Sequence, residues 1–147
     1  MELLERELQQ LIMETPNEKL WERGLQLAGK KRSEVNLGTW GRADIICSNI
    51  RRNKGAATFY IYLLELKKGM ISVDAVVQVC RYYTAIENYL SQRFPNSEIK
   101  VFPILIGSDF TNGVGFIHTC SLINLITYSY DYDGLHFRPI RNIRWED

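Results

Sequence analysis

The sequence predicts an α/β domain in which helices flank one central mixed β-sheet. Two segments, one near the N-terminus and one in the middle, carry apolar residues at helical spacing. Several other segments carry the alternating or continuous apolar residues that are typical of strands. The 147 residues, 46% of them hydrophobic and 24% charged, have the size and composition of a single globular domain spanning residues 1–147.

The chain opens with an amphipathic segment that predicts a first helix. Its leucines recur at helical spacing, with glutamates and glutamines between them. This helix should end before Pro16, because the residue preceding a proline avoids the helical conformation. Asn17 is expected to cap a short second helix that contains Leu20 and Trp21. Residues 25–35 then read as an extended segment.

Two strands are predicted next. Residues 41–49, GRADIICSN, alternate so that Arg42, Asp44 and Ile46 lie on one face. Residues 58–68, TFYIYLLELKK, are rich in β-branched and aromatic side chains, which favours a buried strand.

The second half of the chain predicts a long helix followed by more strands. Ser72 is expected to cap a helix over residues 73–94, and residues 100–107, KVFPILIG, read as another buried strand. Pro103 within that strand predicts a sheet edge or a bulge, because proline lacks a backbone donor. Further along, Asp133-Gly134 predicts the turn of a hairpin.

Composition limits the partners and the compartment. With 18 basic and 17 acidic residues, the net charge of +1 means that binding to phosphates requires a local basic cluster. No stretch approaches the roughly 20 apolar residues that cross a bilayer, so no membrane partner is expected. The acidic N-terminus is unlike a signal peptide, and we expect a cytoplasmic chain. Cys47, Cys80 and Cys120, each in an apolar run, are expected to pack as free thiols.

Three charged residues on the two central strands suggest chemistry. The period-2 rule places Glu65 and Lys67 on one face, and Asp44 lies on the preceding strand. Two neighbouring carboxylates repel unless a cation lies between them or one is protonated, and Mg²⁺ or Mn²⁺ prefers oxygen ligands. Taken alone, Glu65 and Lys67 are better explained as a surface ion pair at a strand end.

The order of these motifs resembles the PD-(D/E)XK nuclease superfamily. GRAD followed by LELKK matches an Asp, a spacer and then E-x-K, and Gln78 with Tyr82 on the long helix matches the Q-x-x-x-Y motif of the RecB-type branch. Residues 1–110 are similar to the nuclease domain of archaeal and actinobacterial mismatch endonucleases, whereas residues 111–147 match no known pattern. The chain departs from the family pattern at Ala43, where many members have proline.

The resemblance implies a restriction-endonuclease-like core with a metal site. Asp44, Glu65 and the backbone carbonyl of Leu66 would bind Mg²⁺ or Mn²⁺. A glutamate of the first helix often completes such sites. By pattern this glutamate is Glu5, with Glu7 as the alternative.

The resemblance also implies catalytic roles for three further residues. Lys67 would orient or deprotonate the attacking water and stabilise negative charge. Gln78 and Tyr82 would hold the strand or a phosphate near the scissile bond, although a helix face that only covers the sheet explains them too. The implied function is a metal-dependent nuclease acting on DNA rather than RNA, by internal or terminal cleavage. The alternatives are a catalytically idle nuclease-like module that binds nucleic acid or a protein, and an interaction subunit.

A basic cluster is expected to contact the phosphates. The candidates are Arg32, Arg42, Arg51, Arg52, Lys54 and Lys68. They surround the segments that carry the proposed site, although a solubilising surface is the alternative explanation. The sequence shows no specificity module, so a homodimer or a structured, nicked or single-stranded substrate is expected.

Overall fold

A six-stranded mixed sheet forms the centre of the computed structural model, which describes residues 3–114 and 123–140. The elements in chain order are α1 (Glu5–Glu14), α2 (Asn17–Glu22), β1 (Lys30–Asn36), a short 3-10 helix (Gly38–Trp40), β2 (Arg42–Asn53), β3 (Ala56–Leu66), β4 (Met70–Ile71), α3 (Val73–Arg93), β5 (Glu98–Gly107), β6 (Asp109–Phe110), β7 (Asn124–Asp131) and β8 (Gly134–Pro139).

The sheet has the strand order β1-β2-β3-β5-β7-β8. The β3–β5 and β5–β7 pairs are parallel, and the other neighbours are antiparallel. The short strands β4 and β6 form a separate parallel pair. Helix α3 packs on one face of the sheet, whereas α1 and α2 pack on the other. This architecture confirms the predicted α/β fold with a central mixed sheet.

Strand β3 supplies side chains to both apolar layers. Phe59, Ile61 and Leu63 pack in the layer beneath α3, and Leu64 and Leu66 pack in the layer beneath α1 and α2. Burial on both faces explains why this strand is an almost continuous apolar run. The face toward α3 continues past Leu63 to residue 65, so the strand carries a carboxylate onto the face that α3 covers.

The predicted helix ends are close, and of the two predicted caps the one at Asn17 is wrong, whereas the position of the one at Ser72 is confirmed. Asn17 is the first residue of α2 rather than its cap, and its Nδ2 donates to the carbonyl of Gly29 (2.8 Å). Ser72 does occupy the N-cap position of α3, yet its side chain makes no capping hydrogen bond.

The edge predicted at Pro103 is present at that residue, although β5 as a whole is a central strand. Strand β7 pairs with β5 only from Ile104 to Gly107, so Pro103 has a strand partner on the β3 side alone. A residue without an N–H is tolerated there because one side carries no ladder.

The predicted hairpin is present, with its turn one residue earlier. Asp131 pairs with Gly134, which leaves Tyr132 and Asp133 as the loop. Gly134 has a φ of 105° and belongs to β8. The Asp131 Oδ1 atom accepts the backbone N–H of Asp133 (2.9 Å), which stabilises this tight turn.

The predicted burial of the cysteines is confirmed only in part. Cys47 is buried as expected, whereas Cys80 is exposed on the outer side of α3, and Cys120 lies outside the described residues. Within the described part of the chain, none of the helices combines the length and the apolar character needed to cross a membrane.

Candidate functional site

The pairing of β2 with β3 brings Asp44 beside Glu65. Ile45 lies opposite Leu64, so the next residues toward the end of this strand pair are Asp44 and Glu65. The Asp44 N–H donates to Glu65 Oε1 (3.2 Å), and the N–H of Leu66 donates to Asp44 Oδ2 (2.8 Å). Each carboxylate is therefore held by a backbone donor of the neighbouring strand.

Burial and mutual repulsion disfavour two negative charges at this position. Glu65 is only 2% exposed, and burial followed by the charge of Asp44 raises its pKa from 4.5 to about 8. Burial also raises the pKa of Asp44, against the opposing effect of the Leu66 N–H. A pair with such pKa values holds a proton at neutral pH unless a cation neutralises it.

A chain of hydrogen bonds connects Lys67 to α3. The Lys67 Nζ donates to Gln78 Oε1 (3.2 Å), and Gln78 Nε2 donates to the Tyr82 hydroxyl (2.9 Å). The positive charge of Lys67 lowers the pKa of both carboxyl groups, so its ammonium lies within electrostatic reach of the pair. Tyr82 is 5% exposed, so it supports Gln78 from behind instead of facing solvent.

Gly41 explains why the GRAD motif begins with glycine. Its φ is 118°, and a Cβ at this position would lie 2.8 Å from the Tyr82 hydroxyl oxygen. Glycine alone therefore lets the start of β2 approach α3 so closely. The two sequence motifs, GRAD and Q-x-x-x-Y, meet at this contact.

Helix α1 brings Glu5, and not Glu7, to the carboxylate pair. Glu5 Oε1 accepts the backbone N–H of Lys68 (3.3 Å), and its charge contributes to the raised pKa of Asp44. Glu7 Oε1 accepts the N–H of Leu4 (3.0 Å) at the start of α1. The structure thus separates the two glutamates that the sequence left as alternatives.

Two residues near the site were missed by the sequence analysis. Gln9 Nε2 donates to the backbone carbonyl of Asp44 (2.9 Å), and its position four residues after Glu5 on one helix face was an available signal. Glu34 lies opposite Asp44, between the paired residues 33 and 35 of β1, with a φ of 51°. Its charge helps to raise the pKa of Asp44, and no spacing in the sequence indicated it.

The predicted basic cluster is split between two ends of the sheet. Arg42 begins β2 and Lys68 follows β3, so both lie at the carboxylate end, and Arg32 lies opposite Ile46. Arg51, Arg52 and Lys54 lie at the β2–β3 turn. Seven residues separate Asp44 from Arg51, which corresponds to about 23 Å along a strand.

Lys31, which precedes Arg32 on β1, has a structural role. The Lys31 Nζ donates to the carbonyls of Ile12 and Thr15 at the C-terminus of α1. Burial lowers its pKa. Lys31 therefore stabilises the helix end and is not free to bind a phosphate.

The donor set at the carboxylate pair fits a hard divalent cation. It consists of oxygen atoms, and the Leu66 carbonyl leaves the strand on the same side as the N–H that reaches Asp44. Within residues 3–114 and 123–140, no three Asp, Glu, His or Cys side chains lie close enough to enclose an ion. Mg²⁺ commonly uses one or two carboxylates and fills its remaining positions with water and phosphate oxygens.

A groove of about 850 Å³ lies next to the pair, between β1, β2 and the C-terminal half of α3. It begins at Ile46 and Ser48, the next residues after Asp44 on the same strand face. Trp40 and Tyr89, which are 39% and 58% exposed, also line the groove. The groove has the size of a ligand site and shares the strand face of Asp44, but the residues that line it are not those of the carboxylate site.

This sheet, with its flanking helices, is a restriction-endonuclease-like nuclease fold. Among solved structures the chain is similar to the crystal structure of a repair endonuclease from Pyrococcus abyssi, with a TM-score of 0.56 and 23% sequence identity. The match covers 85% of this chain and 46% of that one, so the chain spans less than half of that protein's length. No family model and no curated protein matches the sequence.

Proposed function

We propose that this chain is a divalent-cation-dependent nuclease that hydrolyses phosphodiester bonds in DNA. The observation that carries the proposal is the Asp44–Glu65 pair, in which Glu65 is buried and Asp44 partly buried, with the Lys67 ammonium held beside it. A pair of neighbouring acids whose pKa values are both raised is typical of a functional site. The fold shared with a repair endonuclease supports the same conclusion.

Asp44, Glu65 and the Leu66 carbonyl are the residues that would hold Mg²⁺ or Mn²⁺, and the charge of Glu5 on α1 would act on the ion from farther away. When bound, the cation supplies Lewis acidity and lowers the pKa of a water molecule to produce the nucleophile. The neighbouring N–H groups fix the orientation of both carboxylates, and Gln9 fixes the backbone at Asp44. The chain's own contribution is thus a preformed set of oxygen atoms.

Lys67 acts on the reacting groups. Its ammonium, held by Gln78, orients the attacking water and stabilises the negative charge that develops on the phosphate. Tyr82 is a positioning residue that acts through Gln78. Arg42 and Lys68, at the same end of the sheet, hold the flanking phosphates, and the groove beyond Ile46 accepts the nucleotide next to the cut.

Cleavage of end-labelled linear DNA and covalently closed circular DNA in Mg²⁺ or Mn²⁺ tests this proposal. We expect cleavage that stops on addition of EDTA and that Glu65→Gln abolishes, since the amide keeps the shape but loses the charge. Glu7→Gln is the matched control, because Glu7 lies on α1 but contacts Leu4 instead of the pair. Cleavage of both substrates indicates an endonuclease, and cleavage of the linear one alone indicates an exonuclease.

Two results would overturn the proposal. Wild-type protein that binds DNA but leaves every substrate intact in both metals would be an idle binding module. Cleavage that persists in Glu65→Gln at the wild-type rate would show that the activity comes from elsewhere. A matching RNA substrate tests the preference for DNA, and equal cleavage of the two polymers would contradict that preference.

A further inference from the structure

Among residues 3–114 and 123–140, no helix covers part of one sheet face. Near the carboxylate end, α1 and α2 cover this face over Leu64 and Leu66. Farther along β3, the same face continues through Tyr62 and Tyr60. We call the surface formed by the side chains of Arg51, Tyr60, Tyr62, Lys100 and Phe102 the aromatic–basic face. Arg51 and Lys100 are exposed, and the three rings are partly exposed.

The strand register assembles the rings and the cations of this face. Tyr60 lies opposite Lys100 and Tyr62 lies opposite Phe102 across the β3–β5 pair. The Arg51 guanidinium and the Lys100 ammonium lie 5.3 and 5.7 Å from the centroid of the Tyr60 ring. The rings of Tyr62 and Phe102 are stacked, with centroids 5.1 Å apart and an angle of 24° between their planes.

The charge on this end of the sheet is positive. Arg52 and Lys54 extend it along the β2–β3 turn, and both are exposed. Glu98 opposes Lys100 at 3.7 Å, but exposed pairs of this kind are weak and solvent-screened. Because the whole chain carries a net charge of only +1, this concentration of cations offers a local attraction for a polyanion.

A hollow of about 400 Å³ adjoins the stacked rings. Tyr62 and Phe102 line one part of it, and Gln26 and Asn124, whose Nδ2 donates to the carbonyl of Pro103 (3.5 Å), line another. Stacking surfaces next to amide donors and acceptors are the features with which proteins hold unpaired bases.

We propose that the aromatic–basic face binds a single-stranded segment of nucleic acid, with bases stacked on its rings and phosphates on Arg51 and Lys100. Bases inside a duplex are already stacked on one another, so only unpaired bases can use these rings. Along the strand direction this face extends from about 10 Å from Asp44, at Tyr62 opposite Cys47, to about 23 Å at Arg51, and it lies on the sheet side opposite the carboxylates. The choice of a nucleic acid rests on the proposed nuclease function, and the substrate class becomes DNA with an unpaired strand.

Fluorescence anisotropy of a labelled oligothymidylate of about 16 nucleotides, measured in EDTA, tests binding without cleavage. We expect Tyr60→Ala to weaken binding about tenfold and Tyr60→Phe to retain it, because stacking requires the ring and not the hydroxyl. Tyr132→Ala is the aromatic control, since Tyr132 is 98% exposed in the β7–β8 turn. Circular dichroism checks that each variant is folded.

The charged residues give a second measurement that does not depend on the fold of Tyr60→Ala. Removing Arg51 and Lys100 together should flatten the slope of log affinity against log salt by about 1.4, or about 0.7 for each phosphate contact. Arg81→Ala is the control, because Arg81 is exposed on α3 beyond the other sheet face. An unchanged slope in the double variant would overturn the proposal.

Three further results would overturn it independently of any cleavage. These are no binding of the oligonucleotide by wild-type protein, equal competition by a blunt duplex of the same length, and a wild-type dimer in sedimentation that Tyr60→Ala makes monomeric. The last result would assign the face to a second copy of the chain. Glu65→Gln, which lies outside this face, should bind the oligonucleotide like the wild type, so a failure of the proposed nuclease site and a failure of this face give different results.

Discussion

Glu65 is the residue whose surroundings change its chemistry most. Burial and the charge of Asp44 raise its pKa in the folded protein from 4.5 to about 8. Between these two pH values the folded state binds more protons than the unfolded state. The free energy of unfolding therefore falls as pH rises through this window, and the loss is complete above the folded pKa.

Replacing Glu65 with Gln should remove much of this dependence. Melting temperatures in EDTA should fall between pH 4.5 and about 8 in the wild-type protein and change less in Glu65→Gln. Glu7→Gln, which leaves the pair intact, should melt like the wild type across this range. Parallel curves for the wild type and Glu65→Gln would show that Glu65 is ionised in the folded protein at neutral pH.

Lys67 and Tyr82 should differ in their effects on turnover. Lys67→Ala should lower turnover about 10²–10³-fold, which is typical of losing one electrostatic stabiliser of the transition state. Tyr82→Phe removes only the hydroxyl that supports Gln78, so its effect should be smaller. Single-turnover cleavage measures both, and a Lys67→Ala protein with unchanged turnover would contradict the role of its ammonium.

Gly41 should tolerate alanine less well than Gly38. Both have positive φ, but a Cβ at Gly41 would lie 2.8 Å from the Tyr82 hydroxyl, whereas a Cβ at Gly38 meets nothing within 4 Å. Strain alone costs about 1–3 kcal/mol, so Gly41→Ala should lose more stability than Gly38→Ala. Denaturant unfolding of the two variants measures their free energies of unfolding. Equal losses of stability would mean that the Tyr82 side chain moves away from a Cβ at residue 41 without a cost in stability.

The proximity of Asp44 and Glu65 could be inferred from the sequence, but their supporting contacts could not. Period-2 alternation and the order of two neighbouring strands suffice to place two carboxylates together. The hydrogen bond from Lys67 to Gln78 depends on how α3 is rotated and docked on the sheet. Glu34 reaches the site through an unusual backbone conformation at the sheet edge, which residue spacing does not reveal.

At the scale of elements, α1 depends on a cation supplied by β1. Lys31→Met should destabilise the fold by about 1.5–3 kcal/mol, because it leaves the Ile12 and Thr15 carbonyls without a charged donor. Lys30→Met is the matched control on the same strand, since Lys30 is exposed. Unfolding measurements test this difference, and equal stability of the two variants would contradict a capping role for Lys31.

Helices and strands were predicted best where one regular spacing of apolar residues, helical or alternating, ran through the whole segment. β3 is buried on both faces and α1 and α3 carry long apolar stripes, so packing agrees with local pattern. Pro103 correctly indicated a local edge, but the sequence could not show that β7 covers the rest of β5, from Ile104 onward. The β7–β8 turn was misplaced by one residue, since strand register determines which residues form the loop.

For the whole molecule, the fold places the carboxylates and the basic turn at opposite ends of β2. The sequence suggested one cluster around the site, because Arg42 and Arg51 are close along the chain. Arg42 and Arg51 are nine residues apart on β2, and in an extended strand this separation corresponds to about 30 Å. A polymeric substrate can span both ends, with one segment at Asp44 and another on the aromatic–basic face.

We propose that Asp44 and Glu65 form a divalent-cation site. Calorimetric titration of Mn²⁺ into the metal-free protein tests this proposal most directly. At a pH above about 8, where Glu65 is ionised, we expect saturable binding to the wild type and to Lys67→Ala, whose side chain is not a ligand. Asp44→Asn and Glu65→Gln should lose it. Binding that is unchanged in both of these variants would contradict the claim.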